Sequence, residues 1–113
     1  MITELKDQKE FDSLLKNGNV LLKFEASWCG PCRVLNRTIE SIADNINVNF
    51  VRVDVDEFPD LAQKYLVSSI PTCFAYKDGK SISFLNDGNE ELSLMGALDE
   101  DNFVKVLKDT FKL

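Results

Sequence analysis

Trp28-Cys29-Gly30-Pro31-Cys32 carries the strongest chemical signal in the chain. When the second cysteine of such a pair starts a helix, two intervening residues let both sulfurs come within disulfide distance. The first cysteine then sits just outside the helix N-terminus. Unpaired N–H groups and the helix dipole there favour a thiolate over a thiol. The thiolate is the attacking species in disulfide exchange, so Cys29 is suited to attack near neutral pH. Cys32, inside the first turn, is more shielded and is the natural resolving thiol for a mixed disulfide at Cys29. Gly30 and Pro31 set how easily the pair closes. Pro31 suits a first helical turn, where its missing N–H costs nothing. The competing chemistry is half of a zinc site. Three cysteines, at 29, 32 and 73, and no histidine are too few for a closed site within one chain. A zinc or iron–sulfur site shared between two chains is the remaining metal alternative.

The elements that must hold this motif follow from hydrophobic spacing. Lys6–Asn17 reads as a helix, with Asp7 and Glu10 resembling a capping box and Gly18 as the stop. Val20–Ala26 reads as a strand, with Val20, Leu22, Phe24 and Ala26 on one face and Leu21, Lys23 and Glu25 on the other. Cys32–Ile46 reads as an amphipathic helix, Val48–Val55 as a strand and Pro59–Tyr65 as a short helix. Thr72–Tyr76 is another strand, and Ser81–Leu85 and Glu91–Met95 alternate like half-exposed ones. Asp78-Gly79 and Asp87-Gly88 are turn signals, and Asp99–Phe111 is a last helix. Alternating helices and strands in the first half imply parallel βαβ pairing, and the later turns imply antiparallel strands. The fold class is α/β, a mixed central sheet with helices on both faces.

Composition narrows the function. The 113 residues, 44% hydrophobic and 28% charged, fit a single domain spanning 1–113. A net charge of −6 argues against nucleic acid as a partner. No apolar run approaches the roughly 20 residues of a membrane span. Met1–Glu10 is charged and lacks the apolar core of a secretory leader, so none is expected. An odd cysteine count points to a reducing compartment, and a cytoplasmic location is expected.

Phe24-Glu25-Ala26-Ser27-Trp28-Cys29-Gly30-Pro31-Cys32-Arg33 resembles the active-site signature of the thioredoxin family, and Ser69-Ile70-Pro71-Thr72 resembles its cis-proline loop. Asp54-Val55-Asp56, Asp78-Gly79 and Gly96-Ala97 fall in the family's order, so the resemblance covers nearly the whole chain. It implies a thioredoxin fold and a protein-disulfide reductase, without a bound cofactor, cycling between a Cys29/Cys32 dithiol and disulfide. The implied partners are disulfide-containing proteins and an NADPH-dependent thioredoxin reductase, and the implied state is a monomer. By the same resemblance Trp28 flanks the site and forms part of the docking surface. Pro71 follows a cis bond from Ile70, packs on the cysteines and leaves the Ile70 backbone free to pair with an extended substrate. Gly96 gives a substrate close approach to the backbone.

The chain departs from the family pattern in four places. Lys23 stands where the family usually has a buried Asp behind the second cysteine, and a charged Lys accepts no proton. Glu25, on the same strand face and paired with Lys23, is one candidate for the missing carboxylate; Asp56, at a family carboxylate position, is another. A buried Lys23 cation would itself favour nearby thiolates, and a plain ion pair is the simplest alternative. Arg37 replaces a helix-kinking proline, so a straighter helix is expected. Lys80–Met95 is longer than usual. Its two turn signals cannot both be full reversals if Gly96 is to return to the active-site end. It reads as a solvated extension, with a partner-contacting arm as the alternative. Cys73 reads as a small buried hydrophobe, with a regulatory or resolving thiol as the alternative.

Two other functions compete with the reductase. One is an oxidase or isomerase, which the Gly-Pro pair and the expected lack of a leader disfavour. The other is a non-enzymatic assembly subunit that binds a partner through Trp28, Pro71 and Gly96.

Overall fold

β2, Asn19–Glu25, sits at the centre of the sheet because six of its seven residues are shielded from water. The computed structural model describes residues 1–113. β3, Asn49–Asp54, runs parallel to β2, and β1, Ile2–Glu4, runs parallel to β3 on its outer side. β4, Thr72–Lys77, lies antiparallel on the other side of β2. β5, Lys80–Ile82, and β8, Leu94–Met95, both pair antiparallel with β4. The result is the expected mixed sheet, in the order β1-β3-β2-β4-β5.

Side-chain alternation divides the core into two layers. On one face, Leu21, Phe50, Cys73 and Ala75 meet Leu35 and Ile39 of α2, Gly30–Ile42, and Phe103, Val106, Leu107 and Phe111 of α4, Glu100–Phe111. On the other, Val20, Leu22, Phe24, Val51 and Val53 meet Phe11 of α1, Phe11–Leu14, and Leu61 of α3, Pro59–Lys64. Each fully buried Leu or Phe contributes about 1.5–3 kcal/mol of transfer free energy. Tyr65 and Phe74 join the second layer edge-on, with ring centroids 5.0 Å apart. No helix is long and apolar enough to cross a membrane.

Local chemistry explains several boundaries. Cys29 caps α2, and Pro31 lies in its first turn. The helix therefore starts at Gly30, two residues before the expected Cys32, and gives way at Ala43–Asn45 to a 3₁₀ turn. It runs without interruption through Arg37, which keeps the backbone N–H that a proline would lack. The expected helix over Lys6–Asn17 shrinks to a 3₁₀ turn, Gln8–Glu10, followed by α1. Asp7 Oδ1 accepts from the Lys9 N–H at 3.0 Å, and Glu10 gives nothing back, so no capping box forms. Asp99 Oδ1 accepts from the Asn102 N–H at 2.9 Å and starts α4.

Asp78-Gly79 and Asp87-Gly88 are both true reversals, against expectation. β6, Phe84–Asn86, and β7, Asn89–Glu91, form a separate antiparallel hairpin. That hairpin is an excursion from a single edge strand. β5 pairs with Ala75–Lys77 and β8 with Thr72 and Cys73, so the edge resumes along the same line. A bend at Leu92 restores the direction, and Gly96 returns to the Pro71 end. Phe84 is fully buried in the first layer, so the extension is packed at its base, while its tip, residues 87–90, is exposed as expected.

Candidate active site

The Cys29–Cys32 pair is built by the junction of β2 and α2. The two cysteines form a disulfide with their Cα atoms 5.3 Å apart. Cys29 has extended backbone and caps the helix: its Sγ accepts the Cys32 N–H at 3.1 Å. A sulfur at that position faces the unpaired N–H groups of the first turn, which favours negative charge once the disulfide opens. Both cysteines are buried, packed with Ala26 and against Val55 and Ile70.

The Ile70–Pro71 peptide is cis. The Ile70 carbonyl oxygen lies 3.8 Å from Cys29 Sγ, and no backbone hydrogen bond engages Ile70. The Gly96 N–H donates to the Pro71 carbonyl at 2.9 Å, which ties β8 to this loop. Gly96 has φ +84°, and a Cβ there would meet only open space. Trp28 is 66% exposed, and its Nε1 donates to Asp56 Oδ2 at 2.8 Å. Beside it a cleft of about 410 Å³ is lined by Trp28, Val55, Ala62, Val67, Ser68, Ser69 and Ile70. The sequence singled out Trp28 and Ile70 among these as site residues, with Val55 and Ser69 inside the quoted motifs; Ala62, Val67 and Ser68 carry no local signature.

The face of β2 behind α2 carries charge inside the core. Lys23 is fully buried, and Glu25 is nearly so. Lys23 Nζ donates to Glu25 Oε1 at 2.6 Å, to Asn36 Oδ1 at 2.5 Å and to the Cys32 carbonyl at 3.2 Å. Arg52 holds both carboxylate oxygens of Glu25 at 2.8–3.1 Å. Burial raises the Glu25 carboxyl, but the Arg52 and Lys23 bonds outweigh it and hold it below its ordinary value. Burial pulls the Lys23 ammonium down, partly offset by Glu25. Glu25 raises the Arg52 guanidinium. No buried side-chain polar atom is left without a partner.

Sequence reasoning found the Lys23–Glu25 contact and missed Arg52 and Asn36. Both left a signal: Arg52 interrupts the apolar run of β3, and Asn36 lies one helical turn after Cys32. Asp56 faces Trp28 instead of joining the Lys23 network. Cys73 is a free, fully buried thiol across from Lys23, pushed up to about 12 by burial. No cluster of three His, Cys, Asp or Glu side chains has the makings of a metal site.

A Thioredoxin family profile matches residues 2–109. The chain belongs to the thioredoxin family. Among its relatives, Thioredoxin-2 of Saccharomyces cerevisiae is 44% identical over 86 residues, 74% of this chain and 83% of that one. A thioredoxin of Chlamydia trachomatis is 34% identical over 107 residues, 94% of this chain and 96% of that one. A mutant thioredoxin from Halobacterium salinarum superposes with a TM-score of 0.82 at 29% identity, covering 99% of this chain and 92% of that one. The fold is the thioredoxin fold. The protein is accordingly a thiol–disulfide oxidoreductase and protein-disulfide reductase, with its redox centre in the Cys29–Cys32 pair. Like other thioredoxins it acts on disulfide substrates and is recharged by a reductase.

Proposed function

We propose that Cys29 is the attacking thiolate of this thioredoxin and Cys32 the resolving thiol. The observation that carries the assignment is the Cys32 N–H donating to Cys29 Sγ at the start of α2, which supports Cys29 as the sulfur favoured as an anion. Cys29 attacks a substrate disulfide, one substrate thiolate leaves, and Cys32 displaces the other from the mixed disulfide. Ile70, free of backbone bonds beside Cys29, and the cleft next to Trp28 support docking of an extended substrate segment along Pro71 and Gly96. The reductase that recharges it is an NADPH-dependent thioredoxin reductase, and the protein works as a monomer in the cytoplasm. The unpaired Cys73 suits a reducing compartment.

Insulin reduction coupled to NADPH and thioredoxin reductase tests this. Cys29→Ser abolishes turnover, and Cys32→Ser accumulates a mixed disulfide visible by mass spectrometry. A Cys32→Ser protein that turned over while Cys29→Ser trapped substrate would reverse the two roles. An equilibrium with glutathione, read by Trp28 fluorescence, separates the reductase from an oxidase or isomerase: a strongly reducing potential is expected.

A further inference from the structure

The redox pair is backed by a buried cation in a saturated hydrogen-bond cage. Lys23 Nζ reaches three acceptors: Glu25 Oε1, Asn36 Oδ1 and the Cys32 carbonyl. Only an ammonium has three hydrogens for them; a neutral amine would turn its lone pair toward an acceptor away from water. Lys23 is therefore charged here. Glu25 is poorly placed as a proton acceptor, since Arg52 takes both of its oxygens and Lys23 shares one. The groups facing this point are Lys23 and Glu25 from β2, Arg52 from β3, Cys73 from β4 and Asn36 from α2, with Glu4 of β1 and Glu40 of α2 acting on Arg52 from beyond it. Cys73 is a neutral thiol and Asn36 is uncharged; the carboxylates of Glu25, Glu4 and Glu40 all act on Arg52, so the cation bonded to the Cys32 backbone in the first turn of α2 is Lys23.

We propose that Lys23 is a positioning residue of the exchange reaction: anchored to the Cys32 backbone, it supplies a fixed positive charge that stabilises the Cys32 thiolate during resolution, so that no neighbouring carboxylate base is needed. The inference rests on the role of Cys32 given above. In the step itself Cys32 loses its proton to water, and its sulfur bonds to Cys29 Sγ. The bond from Cys29 Sγ to the substrate sulfur breaks, and the substrate leaves with that electron pair as a thiolate, which takes up a proton. The cysteine pair is oxidised and the substrate reduced, with Lys23 keeping its proton throughout.

The test titrates Cys32 alone in a Cys29→Ser background, by ultraviolet thiolate absorbance from mildly acidic to mildly alkaline pH. Cys73 stays protonated over that range. Lys23→Met is expected to raise the Cys32 midpoint by roughly one to three units. Glu25→Gln, which deletes the anion, is expected to lower it, and Lys23→Arg to leave it in place. Damage to packing alone would move Lys23→Met and Glu25→Gln the same way. An unmoved midpoint in Lys23→Met would make the network a plain ion pair and overturn the proposal. A raised midpoint in Glu25→Gln would make Glu25 the base and overturn it too. Should Lys23→Met not fold, Glu25→Gln must still titrate below the parent and Lys23→Arg with it, or the proposal is lost. The titration needs no substrate, so its failure is distinguishable from failure of the insulin assay that tests the reductase reading.

Discussion

Lys23 and Arg52 occupy the same register position on neighbouring parallel strands, two cations side by side with Glu25 bonded to both. Burying a single charge costs several kcal/mol, and burying two of like sign costs more unless an anion joins them. Glu25→Gln removes that anion. It is expected to lower the unfolding free energy by about 3 kcal/mol at neutral pH, measured by urea denaturation. A change within about 0.5 kcal/mol, the range of an ordinary surface substitution, would contradict it.

The same carboxylate sets an acid-side dependence. Its folded pKa lies below the ordinary 4.5, because the Arg52 and Lys23 bonds outweigh the upward push of burial. Such a group adds stability above the unfolded value and loses it as pH falls through the folded value. The gap between the parent and Glu25→Gln should therefore close as pH falls below about 4.5. Parallel stability curves down to strong acid would rule this out.

Cys73 sets the opposite slope in alkali. Burial pushes its thiol from 9.0 to about 12, with Lys23 pulling the other way. A raised folded pKa contributes stability that is complete below the unfolded value and lost as pH climbs toward the folded one. The parent should weaken relative to Cys73→Ala as pH rises through 9.0 toward 12. In the oxidised native protein this thiol should react with an aromatic disulfide reagent only as fast as the chain opens.

The β6–β7 excursion should divide sharply into packed and free positions. Phe84 is fully buried, whereas Leu92 is 82% exposed. Phe84→Ala is expected to cost about 3–5 kcal/mol. Leu92→Ala should cost under about 0.5 kcal/mol. Thermal unfolding of both variants decides whether the extension belongs to the core.

Gly96 is held at φ +84° beside Pro71, where an L side chain is strained. Gly96→Ala is expected to cost about 1 kcal/mol of stability. Its methyl group would project into open space, so kcat/KM for a protein disulfide should fall while that for a small disulfide holds. Equal losses with both substrates would place the effect in the cysteines instead.

The redox motif was legible because its chemistry is local: residue type, spacing and a strand-to-helix junction sit in one short string. β2 was equally plain, since Val20–Leu22 is an apolar run continued by Phe24, as suits a strand buried on both faces. What sequence could not supply was pairing at a distance. β1 is three residues long, and its partner is β3, far along the chain. The return of the edge strand after β7 depends on β4 receiving β5 and β8 in one line. Arg52 enters the Lys23 network only through the parallel register of β2 and β3. The expected helix at Lys6–Asn17 failed for a local reason: Asp7 caps a 3₁₀ turn, and only Phe11–Leu14 continues as α-helix.

The interrupted edge has a further consequence for solubility. A long unpaired strand at the rim of a sheet invites another molecule to add its own strand, the first step toward fibrous aggregates. Here the excursion cuts one rim into pieces of three and two residues, and the opposite rim ends in the three-residue β1. Neither side offers a stretch long enough for lateral growth, so the sheet is a poor template for another chain.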